Sequence, residues 1–310
     1  MPARRPAARP RAARRPAAAI ARAAAVALGC AALVAGFVLW RLPYERAAAP
    51  LSAALSRATA LEISIGALAP RLTWLGPGLE ATQLRVATPD GVALPVERLH
   101  VRPAWSPRWL LLRPRWWIGA ELAGGGAEGE LGLEPQACFA GRLAGIDLAA
   151  LPLAWLWPGA GLTGRLDARF DLRAEAGALA GSIDLDARDG SAALPTLPLP
   201  LPFATLTARL EPGEDPRLRL VSLELVGELL RARGSGTLGA AATPAAAPLD
   251  LAFELEAEPG LQPALASLGV RLDPQGRARL RVSGSLERPV VVFTASAPDR
   301  APRSTGERSR

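Results

Sequence analysis

A catalytic or metal site needs a nucleophile, a proton acceptor or a ligand set, and this chain of 310 residues is poor in all three. Every one of its 36 basic residues is arginine, and it has one histidine, two cysteines and no methionine after Met1. The lack of lysine excludes a Schiff base or an amine nucleophile. His100 is then the one imidazole available as a general base or metal ligand. On a strand, Arg98 and Arg102 share its face, and two neighbouring cations disfavour an imidazolium. No carboxylate or cysteine accompanies it at ligand spacing, and no G-x-S-x-G turn presents a serine. His100 reads as a bystander. Cys30 and Cys138 are too few for a disulfide framework or a cysteine-rich metal site.

Three further groups could carry chemistry. Gly124-Gly125-Gly126 could cradle a phosphate, but Glu128 and Glu130 follow it, and a hairpin turn explains it better. Asp184 and Asp186 could form a carboxylate pair for glycoside chemistry. They lie two apart in an alternating segment, which places them on a solvated strand face. The segment Arg102–Trp117 holds four of the eight tryptophans. Arginine interleaved with aromatics can bind single-stranded nucleic acid. It also suits a cap packed on a sheet, a membrane surface or a protein partner, and these three stay open. No catalytic, cofactor-binding or metal-binding residue is assigned.

The elements that would position these groups are mostly strands. Apolar and polar residues alternate through Leu162–Leu172, Leu249–Leu255 and Ala278–Leu286. Strict alternation means one dry and one wet face, and such strands pair mostly antiparallel and curl or stack. In the first of these, Leu166 and Phe170 are expected in a closed core. Less regular strands fit Leu61–Leu68, Leu79–Ala87, Val96–Arg102, Trp116–Ala123, Glu128–Glu134, Ser182–Arg188, Thr205–Leu210 and Leu218–Val226. Short helices are expected over Pro50–Ala60 and Pro107–Arg113, with helical turns in Asp147–Leu156 and Gly260–Leu268. Leu194–Pro202 is expected as a polyproline connector, because its prolines lack amide donors. Arg233–Leu238 and Arg281–Leu286 share the pattern R-x-S-G-[ST]-L, which would mark a duplicated hairpin.

The formal net charge of +7 is unevenly placed. Residues 1–22 carry seven arginines and no acid, and residues 299–310 add a net +2, leaving a body near neutrality. The high pI thus describes two tails and argues against a nucleic-acid-binding surface. After the first tail comes an uncharged run, Ala23–Trp40, whose 18 residues would span about 27 Å as a helix. The arginine asymmetry puts the N-terminus in the cytoplasm and the bulk of the chain across the membrane. A signal peptide cleaved after Ala47-Ala48-Ala49 and lipidation at Cys30 are the alternatives to a retained anchor. The organisation expected is a cytoplasmic tail (1–22), a transmembrane anchor (23–40), a β-rich domain (41–294) and a disordered tail (295–310).

Several short motifs in order resemble the type II secretion system protein N family, in its AsmA-like form. They are Leu42-Pro43-Tyr44-Glu45 after the apolar run, Gly76-Pro77-Gly78-Leu79 opening a strand, and the closing Gly284-Ser285-Leu286-Glu287-Arg288-Pro289. The resemblance implies a mainly β fold, with a single N-terminal transmembrane helix and then an elongated, mostly antiparallel curved sheet with a few short helices. It implies a bacterial inner-membrane protein whose periplasmic part works with other secretion-system subunits, without catalysis or cofactor. Its AsmA-like side implies a groove lined by apolar residues that holds lipid acyl chains.

Overall fold

A computed structural model describes residues 43–295, apart from 60, 88–92, 107–112, 134–135, 153–160, 176–177, 194–199, 214–216, 240–245, 268 and 286–287. The expected tail and anchor (1–40), the helix Pro107–Arg113 and residues 296–310 fall outside the described residues, wholly or for the most part. Among the described residues no helix is long and apolar enough to cross a membrane.

The described chain opens with helix α1 (Tyr44–Thr59). It begins six residues before the expected start, so Pro50 lies inside it. Pro50 is the seventh residue of α1, past its first turn, so it removes the amide that would bond the Arg46 carbonyl and sets its ring against that carbonyl. Fifteen strands follow: β1 (Glu62–Ser64), β2 (Ala67–Thr73), β3 (Gly76–Ala87), β4 (Ala93–Pro103), β5 (Arg115–Leu122), β6 (Gly125–Gly132), β7 (Cys138–Asp147) and β8 (Gly161–Glu175). After them come β9 (Ala178–Ala193), β10 (Leu201–Pro212), β11 (Leu218–Val226), β12 (Leu230–Leu238), β13 (Pro248–Ala257), β14 (Arg277–Ser285) and β15 (Pro289–Ala295). A 3-10 turn (Leu148–Ala150) and helix α2 (Gln262–Ser267) complete the elements.

All fifteen strands join one curved antiparallel sheet in which each strand from β3 onward pairs with the next. β1 and β2 lie end to end along the free edge of β3. The segment expected as one strand, Leu61–Leu68, is therefore broken. The cause is a bulge in β3: Gln83 adopts φ 54°, and Gly66 faces it so closely that a Cβ there would meet the Gln83 side chain.

Three strands, β7, β12 and β15, had no counterpart among the strands expected from the sequence, although the repeat Arg233–Leu238 falls on β12. In β7 the pairing with β8 shifts between Leu143 and Ile146, and Gly145 takes φ 65°. The extra residue puts two apolar side chains three apart on one face, which conceals the period of two. The amide of Gly145 donates to Asp167 Oδ1 at 2.8 Å, so the bulge leaves no orphan donor. β15 (Pro-Val-Val-Val-Phe-Thr-Ala) is apolar on both faces and shows no alternation at all. The Leu-Pro run also ends sooner than expected: Leu201 and Pro202 already pair with β9, and Leu201 is buried. Residues 194–199 lie outside the described set.

The glycine triplet does form a hairpin. Leu122 pairs with Gly125, leaving Ala123 and Gly124 as a two-residue turn with φ 48° and 70°. Positive φ at both positions is the type I′ turn that matches strand twist. Alanine resists the left-handed region by about 1 kcal/mol or more. Ala123→Gly should therefore raise stability by about 1 kcal/mol, read as a higher urea midpoint with unchanged slope.

Buried side chains gather in two clusters on one face of the sheet. In the first, Leu265 of α2 and Val270 cover Leu201, Leu230, Ala257 and Ala278. In the second, Leu148 of the 3-10 turn packs with Ala187 and Phe203. Both covers come from connections at the same end of the strands, those after β7 and β13.

Candidate functional site

The register assembles the apolar face row by row. One row runs across fourteen strands from β2 to β15, omitting β1: Pro70, Leu79, Val101, Ile118, Gly129, Gly141, Phe170, Ile183, Leu210, Leu220, Gly236, Leu251, Val282 and Val291. The next row, two residues along each strand and three on β11 across its bulge, is Leu68, Ala81, Leu99, Ala120, Ala127, Leu143, Ala168, Leu185, Ala208, Leu223, Gly234, Phe253, Leu280 and Phe293. Neither row contains a polar side chain. At a strand spacing of about 4.8 Å, fourteen strands extend the apolar strip for about 60 Å.

Much of this strip is only half covered. Ala81, Ala168, Ala208 and Leu220 are buried, whereas Phe170, Ile183, Leu210, Leu223, Leu251, Phe253, Leu280 and Val282 are partly exposed. The closed core expected around Leu166 and Phe170 is found only in part: Leu166 packs against the cluster of Leu148, Ala187 and Phe203, whereas Phe170 stays partly exposed outside it. The reason is topological: a single sheet has no second layer, and the connections at one end cover only the rows nearest them.

The aromatic side chains keep the strip shallow. Phe170, Phe203 and Phe253 each lie over the glycine directly opposite, Gly141, Gly190 and Gly234. A Cβ on any of these glycines would come within 3 Å of the ring. Phe139 stacks on Phe170 with ring centres 4.8 Å apart and planes 21° apart. Missing side chains on one strand thus make room for rings from the next, which lie along the sheet instead of standing up from it.

The opposite face is charged. Arg281 donates two hydrogen bonds to Asp250, both at 3.0 Å, and Arg233 donates two to Glu224 at 3.1 and 2.9 Å. Arg188 donates to Asp186 along its own strand at 3.0 and 2.8 Å. These guanidinium contacts hold the Asp186 and Asp250 carboxyls below the usual aspartate range. Asp184 sits 3.7 Å from Arg209. The two aspartates are thus part of a solvated ion-pair ladder, as their alternation predicts. Directly opposite neighbours Asp167 and Asp186 have like charge, as do Arg165 and Arg188. On β9 the like charges are offset along the strand, where Arg188 pairs with Asp186.

The R-x-S-G repeat falls on β12 and β14, and its two copies have matching roles. Arg233 and Arg281 each bind a carboxylate on the preceding strand, and Gly236 and Gly284 both take positive φ. Leu286 lies outside the described residues.

His100 departs from its expected surroundings. Across the pairing it faces Glu80, whose Oε2 lies 3.8 Å from Nδ1. Arg71 Nη1 lies 2.9 Å from Nε2 and 3.1 Å from Nδ1, a cation beside the ring that disfavours the imidazolium. Burial first, and then the Arg71 charge, lower its pKa below the ordinary 6.5. Arg71 and Glu80 belong to strands distant in sequence from His100, which is why only Arg98 and Arg102 were visible beforehand. A lowered histidine pKa means the native state binds fewer protons than the unfolded chain. Its stabilisation is present above pH 6.5 and is lost as the pH falls through 6.5 toward the native value. The single Cε1–H signal in a proton spectrum should titrate below 6.5, and Arg71→Gln should move it back up.

Arg102 stacks over the Trp117 ring at 4.3 Å, and that ring in turn covers Gly119. Cys138 is free and half-buried at the start of β7. Among the described residues no group of three or more His, Cys, Asp or Glu is placed to hold a metal ion.

No family model, curated protein or solved structure matches this chain. The apolar strip crosses fourteen of the fifteen strands.

Proposed function

We propose that this chain is a non-enzymatic component of the type II secretion apparatus, anchored in the bacterial inner membrane by residues 23–40, with its sheet as the binding element in the periplasm. The motifs that carry the resemblance support this reading. Tyr44-Glu45 opens α1, Gly76-Pro77-Gly78-Leu79 opens β3, and Gly284 to Pro289 joins β14 to β15. A sheet with one charged and one apolar face suits a part that holds other molecules by surface contact.

A second reading has a specific observation in its favour. The two unbroken apolar rows, partly exposed over most of their length, suit extended hydrocarbon, so the strip would hold lipid acyl chains as a groove of the AsmA-like kind. Partly exposed apolar area of this extent is costly to leave wet, at about 25 cal/mol per Å².

A deletion strain assayed for exoprotein release and for outer-membrane lipid composition separates the two. Loss of release with normal lipids supports the secretion role. Altered lipids with normal release support the acyl-chain groove and overturn the first reading. His100→Ala, complementing the deletion fully, would agree with a non-catalytic role, whereas loss of function at normal abundance would contradict it.

A further inference from the structure

At the end of the strands opposite the two covers, four successive hairpins carry large apolar side chains into solvent. Trp74 in the β2–β3 turn is 92% exposed, Leu72 beside it 75%, and Trp105 after β4 57%. Leu133 after β6 and Leu179 at the start of β9 are exposed as well. Five of the twelve large apolar side chains exposed among the described residues lie here, both exposed tryptophans included; the others are Leu51, Leu55, Leu79, Leu229 and three valines of β15. Two strands separate each hairpin from the next, so these tips recur about every 10 Å along one rim.

The rim is also basic. Arg71 and Arg115 pair with Glu80 and Glu130, but Arg102 and Arg113 have no carboxylate partner among the described residues. Arg102 instead spreads on Trp117, which fixes a positive charge next to Trp105. The indole of Trp105 lies against Gly76 in the neighbouring turn, so the two tryptophan-bearing hairpins are held side by side.

We propose that this rim docks on an anionic lipid bilayer surface. Tryptophan and leucine tips strung in a single line along a rim, even with Trp105 against the Gly76 turn, do not make the contiguous packed centre that a protein interface needs. They do suit a soft interface that closes around each tip, where tryptophan prefers the headgroup level and unpaired arginine draws anionic lipid. The rim adjoins the strip, since Leu72 follows Pro70 by two residues on β2, but its exposed tryptophans and its arginines lie outside the two apolar rows.

The test uses the full chain with vesicles of phosphatidylcholine, with or without phosphatidylglycerol, whose acyl chains are brominated to quench tryptophan. The difference in emission between the wild type and Trp74→Phe isolates Trp74, because the other seven tryptophans, Trp40 among them, cancel. Trp74 is so exposed that the variant should keep its fold, checked by its far-ultraviolet dichroism. The expected result is strong quenching of the difference signal in phosphatidylglycerol vesicles and weak quenching without it. Arg102→Gln and Arg113→Gln should each weaken the lipid contact by about fivefold. Equal quenching in the two vesicle types, or none in either, would overturn the proposal. So would cross-linking of Trp74→Cys between copies without quenching, which would make the rim a protein interface.

Discussion

Phe203→Ala should destabilise the chain by about 3–5 kcal/mol, while Phe170→Ala should cost clearly less, about 1–2 kcal/mol. The same residue type stands over an opposing glycine in both places. What differs is the cover. Phe203 is 3% exposed beneath Leu148 and neighbours, so truncation removes its full transfer energy and leaves a cavity. Phe170 is partly open and already in contact with water, so less transfer energy is at stake and no sealed void forms. Urea unfolding of both variants, compared at equal slope, reads the difference directly. Equal losses of the larger size would mean that something closes the strip over Phe170.

A charge placed on the same face should divide the sheet in the same way. Ala278 has no exposure at all and lies in the cluster covered by α2. Ala278→Asp would bury an unpaired carboxylate and overfill the site, and the expected loss exceeds about 4 kcal/mol, enough to abolish cooperative folding. Leu280, two residues along β14, lies in the open apolar row. Leu280→Asp should fold, because its carboxylate reaches water, but should lose affinity for a fluorescent fatty acid. The two variants side by side locate where the cover ends. A folded Ala278→Asp variant would show that α2 does not seal its cluster. An unfolded Leu280→Asp variant would show that the strip is closed.

Strand composition was readable without coordinates wherever a strand has one wet face, because alternation is imposed by the pleat itself. β8, β13 and β14 follow that rule, and so does the ion-pair ladder that contains Asp184 and Asp186. The glycine turn and the R-x-S-G repeat were legible for a similar reason, since each depends on residues adjacent in the chain. β7 and β15 were hidden, one because a bulge changes the spacing of its apolar residues, the other because both its faces are apolar. The neighbours of His100 were hidden because cross-strand contacts depend on register, which brings Arg71 and Glu80 to it from β2 and β3. Register likewise aligned single apolar positions from fourteen strands into two unbroken rows. Whether those rows are sealed depends on layers, and no period in a sequence distinguishes a covered dry face from an open one. Only the fold, one sheet with its few covering elements at one end, left Phe170 open and Phe203 closed.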